Sequence, residues 1–160
     1  MLILPLWTAG TLVALGDLLD YLDGELARKQ GRSSREGAIF DAVLDRYTDL
    51  LIIGALTYLT AVISDPQLYL FFGKLGFMTS EAALLLGLAA LLGAALTPYV
   101  RAKTEAEGKN SILTIGDRGW RNRILVVGLL AGQQLWTLAA IAAVSNFSAI
   151  RRLIFAMGKE

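Results

Sequence analysis

Acidic side chains crowd one stretch of this chain: Asp17, Asp20, Asp23, Glu25, Glu36, Asp41, Asp45 and Asp49. There is no histidine and no cysteine. Thiolate zinc sites, haem ligation by histidine, Ser-His-Asp catalysis and disulfides are therefore excluded. A catalytic base has to be Asp, Glu, Lys or Tyr, and a metal has to be held by oxygen. Oxygen ligands suit Mg²⁺, Mn²⁺ or Ca²⁺.

The spacing of the acids carries information. Asp20 and Asp23 are three apart, neighbours on one helical face. Gly37, Asp41, Asp45 and Asp49 are each four apart and form one stripe along a helix. An antiparallel pairing of the two helices is expected to bring the carboxylate sets face to face. Carboxylates that close stay ionised together only with cations between them. A blander reading pairs some of them with Arg28 and Arg46 and leaves the rest solvated at an interface. Gly24 and Gly37 leave a surface without side chains against which a flat ligand could lie. Ala27 extends that surface, and Arg28, one turn beyond Gly24, could hold a phosphate. In each case the alternative is packing for the glycines and anchoring for the arginine.

The surrounding elements read as a membrane protein. The chain has 160 residues, 55% of them hydrophobic, and a net charge of only +1. Its mean hydropathy is +0.55. Charges sit in clusters between long apolar runs. Five helices are expected, over residues 2–29, 36–63, 80–107, 120–131 and 134–150. Ser33 or Ser34 is the expected cap of the second, with Glu36 in its first turn. Residues 67–79 read as a mixed connection with room for a short interfacial helix. Gly87 and Gly93 suit close packing of the third helix. Alternating the basic clusters through five spans puts all of them on one side, which the positive-inside rule makes cytoplasmic. No cleavable signal peptide is evident. Carboxylates at membrane depth point to function by default.

The residues also carry a resemblance. Asp20-x-x-Asp23-Gly24-x-x-Ala27-Arg28, eight residues, then Gly37-x-x-x-Asp41-x-x-x-Asp45 resembles the signature of the CDP-alcohol phosphotransferase family at every fixed position. The resemblance implies an all-α, polytopic transmembrane bundle of six helices, usually dimeric, in a prokaryotic cell membrane, with an active site open to the cytoplasm. With about five spans readable here, a first helix is expected to be missing, and residues 1–160 are expected to be one N-terminally incomplete domain. The resemblance makes Asp20, Asp23, Asp41 and Asp45 metal ligands, with Mg²⁺ or Mn²⁺, two ions per site. Asp45 also matches the proposed general base. Asp23, Gly24, Ala27, Arg28 and Gly37 match the donor-binding surface. The implied reaction passes a phosphate-linked group from a CDP-linked lipid to an alcohol and releases CMP. Asp17 and Asp49 lie outside the signature and are left out of the site.

Residues beyond the signature bear on the acceptor. Asp41-x-x-x-Asp45-Arg46-x-x-Asp49 and Tyr99-Val100-Arg101-Ala102-Lys103-x-Glu105-Ala106-x-Gly108 resemble the phosphatidylinositol-phosphate synthase branch. There, basic residues hold the phosphate of inositol phosphate, which makes Arg101, Lys103, Arg118 and Arg121 the candidates. A phosphate approaching an acidic site needs cationic docking, preferably by arginine. Arg151 and Arg152 are further candidates to contribute, with membrane anchoring the expected role. The loop Gly116-Asp117-Arg118-Gly119-Trp120-Arg121 departs from the Glu-Arg pairing expected of that branch, which leaves the acceptor assignment open. Glycerol phosphate or another alcohol is the alternative acceptor. CDP-inositol is the alternative donor, as in a related group fused to a soluble cytidylyltransferase domain. A cation transporter is the reading from another class, set aside because the carboxylates are confined to two helices. Membrane lipids and a second copy are the expected partners, and no nucleic acid is expected.

Overall fold

A computed structural model of the chain describes residues 6–29, 34–63, 67–70, 73–77 and 80–158, with backbone alone at residues 27, 28, 63, 67–70 and 73–77. Five α-helices run in chain order: α1 Leu6–Lys29, α2 Arg35–Tyr58, α3 Ser80–Ala106, α4 Arg118–Leu130 and α5 Gln134–Met157. Local chemistry explains several boundaries. Ser34 caps α2, its hydroxyl accepting from the Gly37 N–H at 2.9 Å, with Glu36 in the first turn. Ser33 and residues 1–5 lie outside the described residues. After α2 the chain continues in wider π-type turns over Leu59–Ile63. Gly108 ends α3 and Gly132 ends α4, each with φ near +70° (75° and 68°), where glycine carries no Cβ penalty.

The connection between α2 and α3 differs from expectation. It contains an antiparallel hairpin, β1 Gln67–Leu70 against β2 Gly73–Phe77, in place of a short helix. A run rich in aromatic residues favours strand, and Pro66 cannot donate to a helix.

Packing is inverted relative to a water-soluble bundle. α3 turns its small residues inward: Ala83, Gly87, Ala90, Gly93, Ala94 and Thr97 are buried. Its leucines face out, with Leu85, Leu88 and Leu92 exposed. α5 likewise exposes Phe147, Ile150 and Ile154 while burying Ser145, Ser148 and Ala149. Large apolar side chains outside and small ones between helices are the pattern of a bundle solvated by lipid. The fold is an all-α transmembrane bundle, with a small hairpin added. α3 and α5 are long and apolar enough to cross a bilayer. α1 and α2 have the length, at 24 residues each. α4 is the exception to the expected five spans. Its 13 residues cover about 20 Å at 1.5 Å per residue, short of a hydrocarbon core of about 30 Å.

α3 packs along α5, α2 on α3, α1 on α4, and α4 on α5. The core where they meet holds Ile53, Leu56, Ala90, Ala94, Leu125, Leu129, Leu138 and Ile141. The expected pairing of the two acidic helices is corrected in part: among the described residues α1 and α2 barely touch, although Asp20 and Asp45 do face each other across Arg118. Below their polar ends they are separated by a groove of about 390 Å³ lined by Leu12, Val13, Ile52, Leu56 and Leu129. α5 also runs past its expected end at 150, to Met157, carrying Arg151 and Arg152 within the helix.

The glycine contacts make a prediction. A Cβ on Gly87 would collide with the Thr57 side chain of α2, whereas one on Gly54 would meet nothing. Gly87→Leu should lower stability by roughly 1–3 kcal/mol through overpacking. Gly54→Ala should be neutral or stabilising by up to about 1 kcal/mol. Thermal unfolding in detergent micelles measures both.

Candidate active site

α4 is the element that assembles the acidic residues. It opens at a polar loop, and its first turn carries Arg118, Arg121 and Asn122. Residues three and four apart share a helical face, so all three point toward the signature helices. Arg118 Nη1 donates to Asp20 Oδ2 of α1 at 2.9 Å and lies 2.7 Å from Asp45 Oδ1 of α2. Arg121 Nη2 donates to Asp49 of α2, and its Nη1 to the Gly116 carbonyl at 2.8 Å. Asn122 Nδ2 donates to Asp17 of α1. The two acidic helices are thus held in register through a third helix.

Burial divides this arrangement into two layers. Arg121 and Asn122 are buried, as is Asp49. These contacts, with Asp17, form an inner layer that fixes the helices. Asp20 and Asp45 lie further out, their side chains 50% and 16% exposed, with Arg118 at 26%. Arg46 sits between the layers, Nη2 4.0 Å from Asp45 and Nη1 3.6 Å from Asp49. Asp45 therefore has guanidinium groups on two sides and the charges of Asp41 and Asp20 near it.

A cleft of about 500 Å³ runs between α2 and α3 from this cluster. Asp41, Asp45, Arg46 and Asp49 line one wall, and Ala94, Ala95, Pro98, Tyr99 and Ala102 the other. The small residues of α3 keep the cleft open beside the acids.

The remaining sequence candidates fall as follows. Asp23 is exposed on α1 and Gly24 half-buried. Gly37 is exposed, its N–H given to the α2 cap. Ala27 and Arg28 lie in the last turns of α1, with side chains outside the described residues. Arg101 pairs with Glu105 at 2.9 Å and Lys103 with Glu107 just past the end of α3, each four residues on and exposed. Neither joins the cluster that Arg118 and Arg121 form. The pairing of Asp45 with Arg46 belongs to the bland reading of the acids, and it is present at long range.

The donor set suits a hard divalent cation. Two carboxylates from different helices converge on one cationic nitrogen, and Asp41 lies one turn from Asp45 on the same stripe. Among the described residues no three acids close round a single point; the Arg118 guanidinium stands where Asp20 and Asp45 meet. With that guanidinium displaced, Asp20 and Asp45 would offer oxygen donors from two helices to such a cation.

A family model of CDP-alcohol phosphatidyltransferase matches residues 2–155. The chain belongs to the CDP-alcohol phosphatidyltransferase family. Within this family it is 39% identical over 149 residues to the bifunctional IPC transferase and DIPP synthase of Rubrobacter xylanophilus, covering 91% of this chain and 30% of that one. It is 32% identical over 154 residues to the archaetidylinositol phosphate synthase of Methanothermobacter thermautotrophicus, covering 92% of this chain and 69% of that one. The chain thus spans under a third of the first relative and about two thirds of the second. The crystal structure of Mycobacterium tuberculosis phosphatidylinositol phosphate synthase in complex with manganese and citrate superposes with a TM-score of 0.78 at 22% identity, covering 97% of this chain and 75% of that one. At that identity the likeness establishes a shared fold.

Arg152 of α5 departs from its expected anchoring role. It is buried, its Nη2 donating to Asp117, its Nε to Thr114 Oγ1 at 3.0 Å and its Nη1 to the Thr97 carbonyl at 3.2 Å. Asp117 stands at the N-cap of α4 but makes no side-chain cap bond; its carboxylate goes to Arg152. This ties the loop before α4 to α3 and α5, and so sets where Arg118 begins. A sequence signal existed: an arginine inside an apolar helix has to find a partner.

Removing one member of a buried ion pair strands the other. Asp117 is one-third exposed, so the cost is below the fully buried value: Arg152→Met should lose roughly 2–3 kcal/mol. Adding Asp117→Asn should restore part of it. A double-mutant cycle on unfolding in detergent reads the coupling.

Proposed function

We propose that this chain, acting as one transmembrane domain, transfers a phosphate-linked group from a CDP-linked lipid to an alcohol, with release of CMP, and that the acceptor is inositol phosphate. The observation that carries the proposal is the convergence of Asp20 and Asp45, from two signature helices, on a single cationic position. The names of the relatives support the acceptor: archaetidylinositol phosphate synthase and phosphatidylinositol phosphate synthase both denote inositol phosphate products. The complex of the Mycobacterium tuberculosis enzyme with CDP-DAG supports a CDP-lipid donor.

In this reading Asp20, Asp23, Asp41 and Asp45 hold Mg²⁺ or Mn²⁺, two ions per site. When bound, such ions neutralise the pyrophosphate of the donor and stabilise the departing CMP. The chain's own groups do the rest. Gly24, Ala27 and Gly37 offer a side-chain-free surface to the cytidine, with Asp23 and Arg28 flanking it. Asp45 accepts the proton of the acceptor hydroxyl as its oxygen attacks the phosphorus beside the donor alcohol. The exposure of Asp45 on the cleft suits that role, whereas the buried Asp49 is committed to Arg121. Arg118, Arg121, Arg101 and Lys103 are the candidates for the acceptor phosphate; of these, Arg118 and Arg121 stand in the acidic cluster itself, while Arg101 and Lys103 pair with glutamates on the exposed end of α3. The basic clusters support an active site facing the cytoplasm, and we propose a homodimer.

The 39% identity to the bifunctional IPC transferase and DIPP synthase favours a second reading, the same chemistry with CDP-inositol as donor.

The test is CMP release in detergent from CDP-diacylglycerol, CDP-archaeol or CDP-inositol, with inositol phosphate, inositol or glycerol phosphate as acceptor. Release with a CDP-lipid and inositol phosphate is expected, dependent on Mg²⁺ or Mn²⁺. Asp45→Asn should lower it by about 10²–10⁴, the usual contribution of a positioned base. Release with glycerol phosphate alone would reassign the acceptor. Metal binding with no CMP release from any donor would favour transport.

A further inference from the structure

Arg118 is held by contacts that a divalent ion would also claim. Its hydrogen bond goes to Asp20, and its other ionic contact is Asp45. Arg121, by comparison, is 1% exposed and pinned by both Asp49 and the Gly116 carbonyl. Arg118 is 26% exposed and stands at the open end of the cluster. Of the two guanidinium groups that α4 sends into the acids, it is the one with room to move.

The same corner holds unspent donors. Arg118 Nε, Arg121 Nε and Arg46 Nη1 are buried and, among the described residues, have no hydrogen-bond partner, Arg46 Nη1 keeping only a 3.6 Å ionic contact with Asp49. The three guanidinium groups lie near enough for Arg121 and Arg118 to act on the charge of Arg46. Buried N–H groups without acceptors are rare and costly, and three on neighbouring cations suit an anion with several oxygens. Arginine is the side chain best shaped for phosphate oxygens.

A guanidinium and a divalent ion cannot occupy the same carboxylate oxygens, because like charges about 4 Å apart repel by several kcal/mol at a protein surface. We infer that Arg118 is an exchangeable counter-ion: it competes with the divalent metal for Asp20 and Asp45, and its displaced guanidinium, beside Arg46 and Arg121, forms the site for the phosphate of the acceptor. The inference rests on the reading of Asp20 and Asp45 as metal ligands. It assigns Arg46 a place in acceptor binding that the signature does not give it. It also couples the two ligands. Metal binding frees the cation that the phosphate needs, and by linkage a phosphate monoester must tighten metal binding by the same factor. An alcohol without phosphate gains nothing.

The test is Mn²⁺ binding to the full chain in detergent, with free Mn²⁺ read by electron paramagnetic resonance. Wild type, Asp45→Asn and Arg118→Gln are titrated alone, with glycerol phosphate, and with glycerol. The expected result is that glycerol phosphate, and not glycerol, tightens Mn²⁺ binding to wild type about tenfold, within the usual range of coupling between sites. Arg118→Gln should bind Mn²⁺ more tightly than wild type and show no further gain from glycerol phosphate. Wild-type binding that is lost in Asp45→Asn but indifferent to glycerol phosphate would overturn the inference and leave the metal reading standing. Arg118→Gln binding no more tightly than wild type would do the same. Mn²⁺ binding that is absent, or unchanged in Asp45→Asn, would sink the metal reading and the inference with it. The wild-type arm needs no variant, so a poorly folded Arg118→Gln does not spare the proposal.

Discussion

A carboxylate carried to the edge of a membrane must find a partner, and in this chain most of the partners come from the start of one helix, with Arg46 of α2 added to them. Arg118, Arg121 and Asn122 open α4 and reach Asp20 and Asp45, Asp49, and Asp17 respectively. The consequence is geometric. α1 and α2 need not pack on each other, and they barely do; each is fixed to α4 by its own polar contact. A cleft and an apolar groove remain beside the signature helices because their acids are bridged rather than pressed together. Everything proposed about chemistry depends on that bridge.

The bridge needs a foundation, and the rest of the bundle supplies it. α4 is too short to cross a bilayer, so its position is set by its ends. Arg152 draws Asp117 away from capping and fixes the loop that precedes Arg118. Gly116 packs against Ser148 of α5 and gives its carbonyl to Arg121. Beneath this, α3 and α5 bury small residues against one another, Gly93 against Ser145 and Asn146. In lipid such pairs associate through close contact and shared hydrogen bonds rather than through exclusion of water.

The signature was legible because its spacing is helical and its residues are costly in a membrane. Five helices, the Ser34 cap and the glycine contacts of α3 followed from periodicity and from turn chemistry. The ligand types open to a metal were also readable, since the absence of histidine and cysteine leaves only oxygen donors. What sequence did not yield was partner choice. Nothing in the spacing says that Asp49 belongs to Arg121, or that Arg152 turns inward while Arg151 stays exposed. These pairings join residues far apart in the chain and are decided by which helices are neighbours. Helix order in space was inferred from a short break between α1 and α2, and a short break permits neighbours without packing them.

The most direct test of this account is a crystal structure of the chain grown with Mn²⁺ and read by anomalous scattering. The account predicts a peak between Asp20 and Asp45, with the Arg118 guanidinium moved off both carboxylates and Arg121 still on Asp49. A peak elsewhere, or one with Arg118 still bridging Asp20 and Asp45, would contradict it.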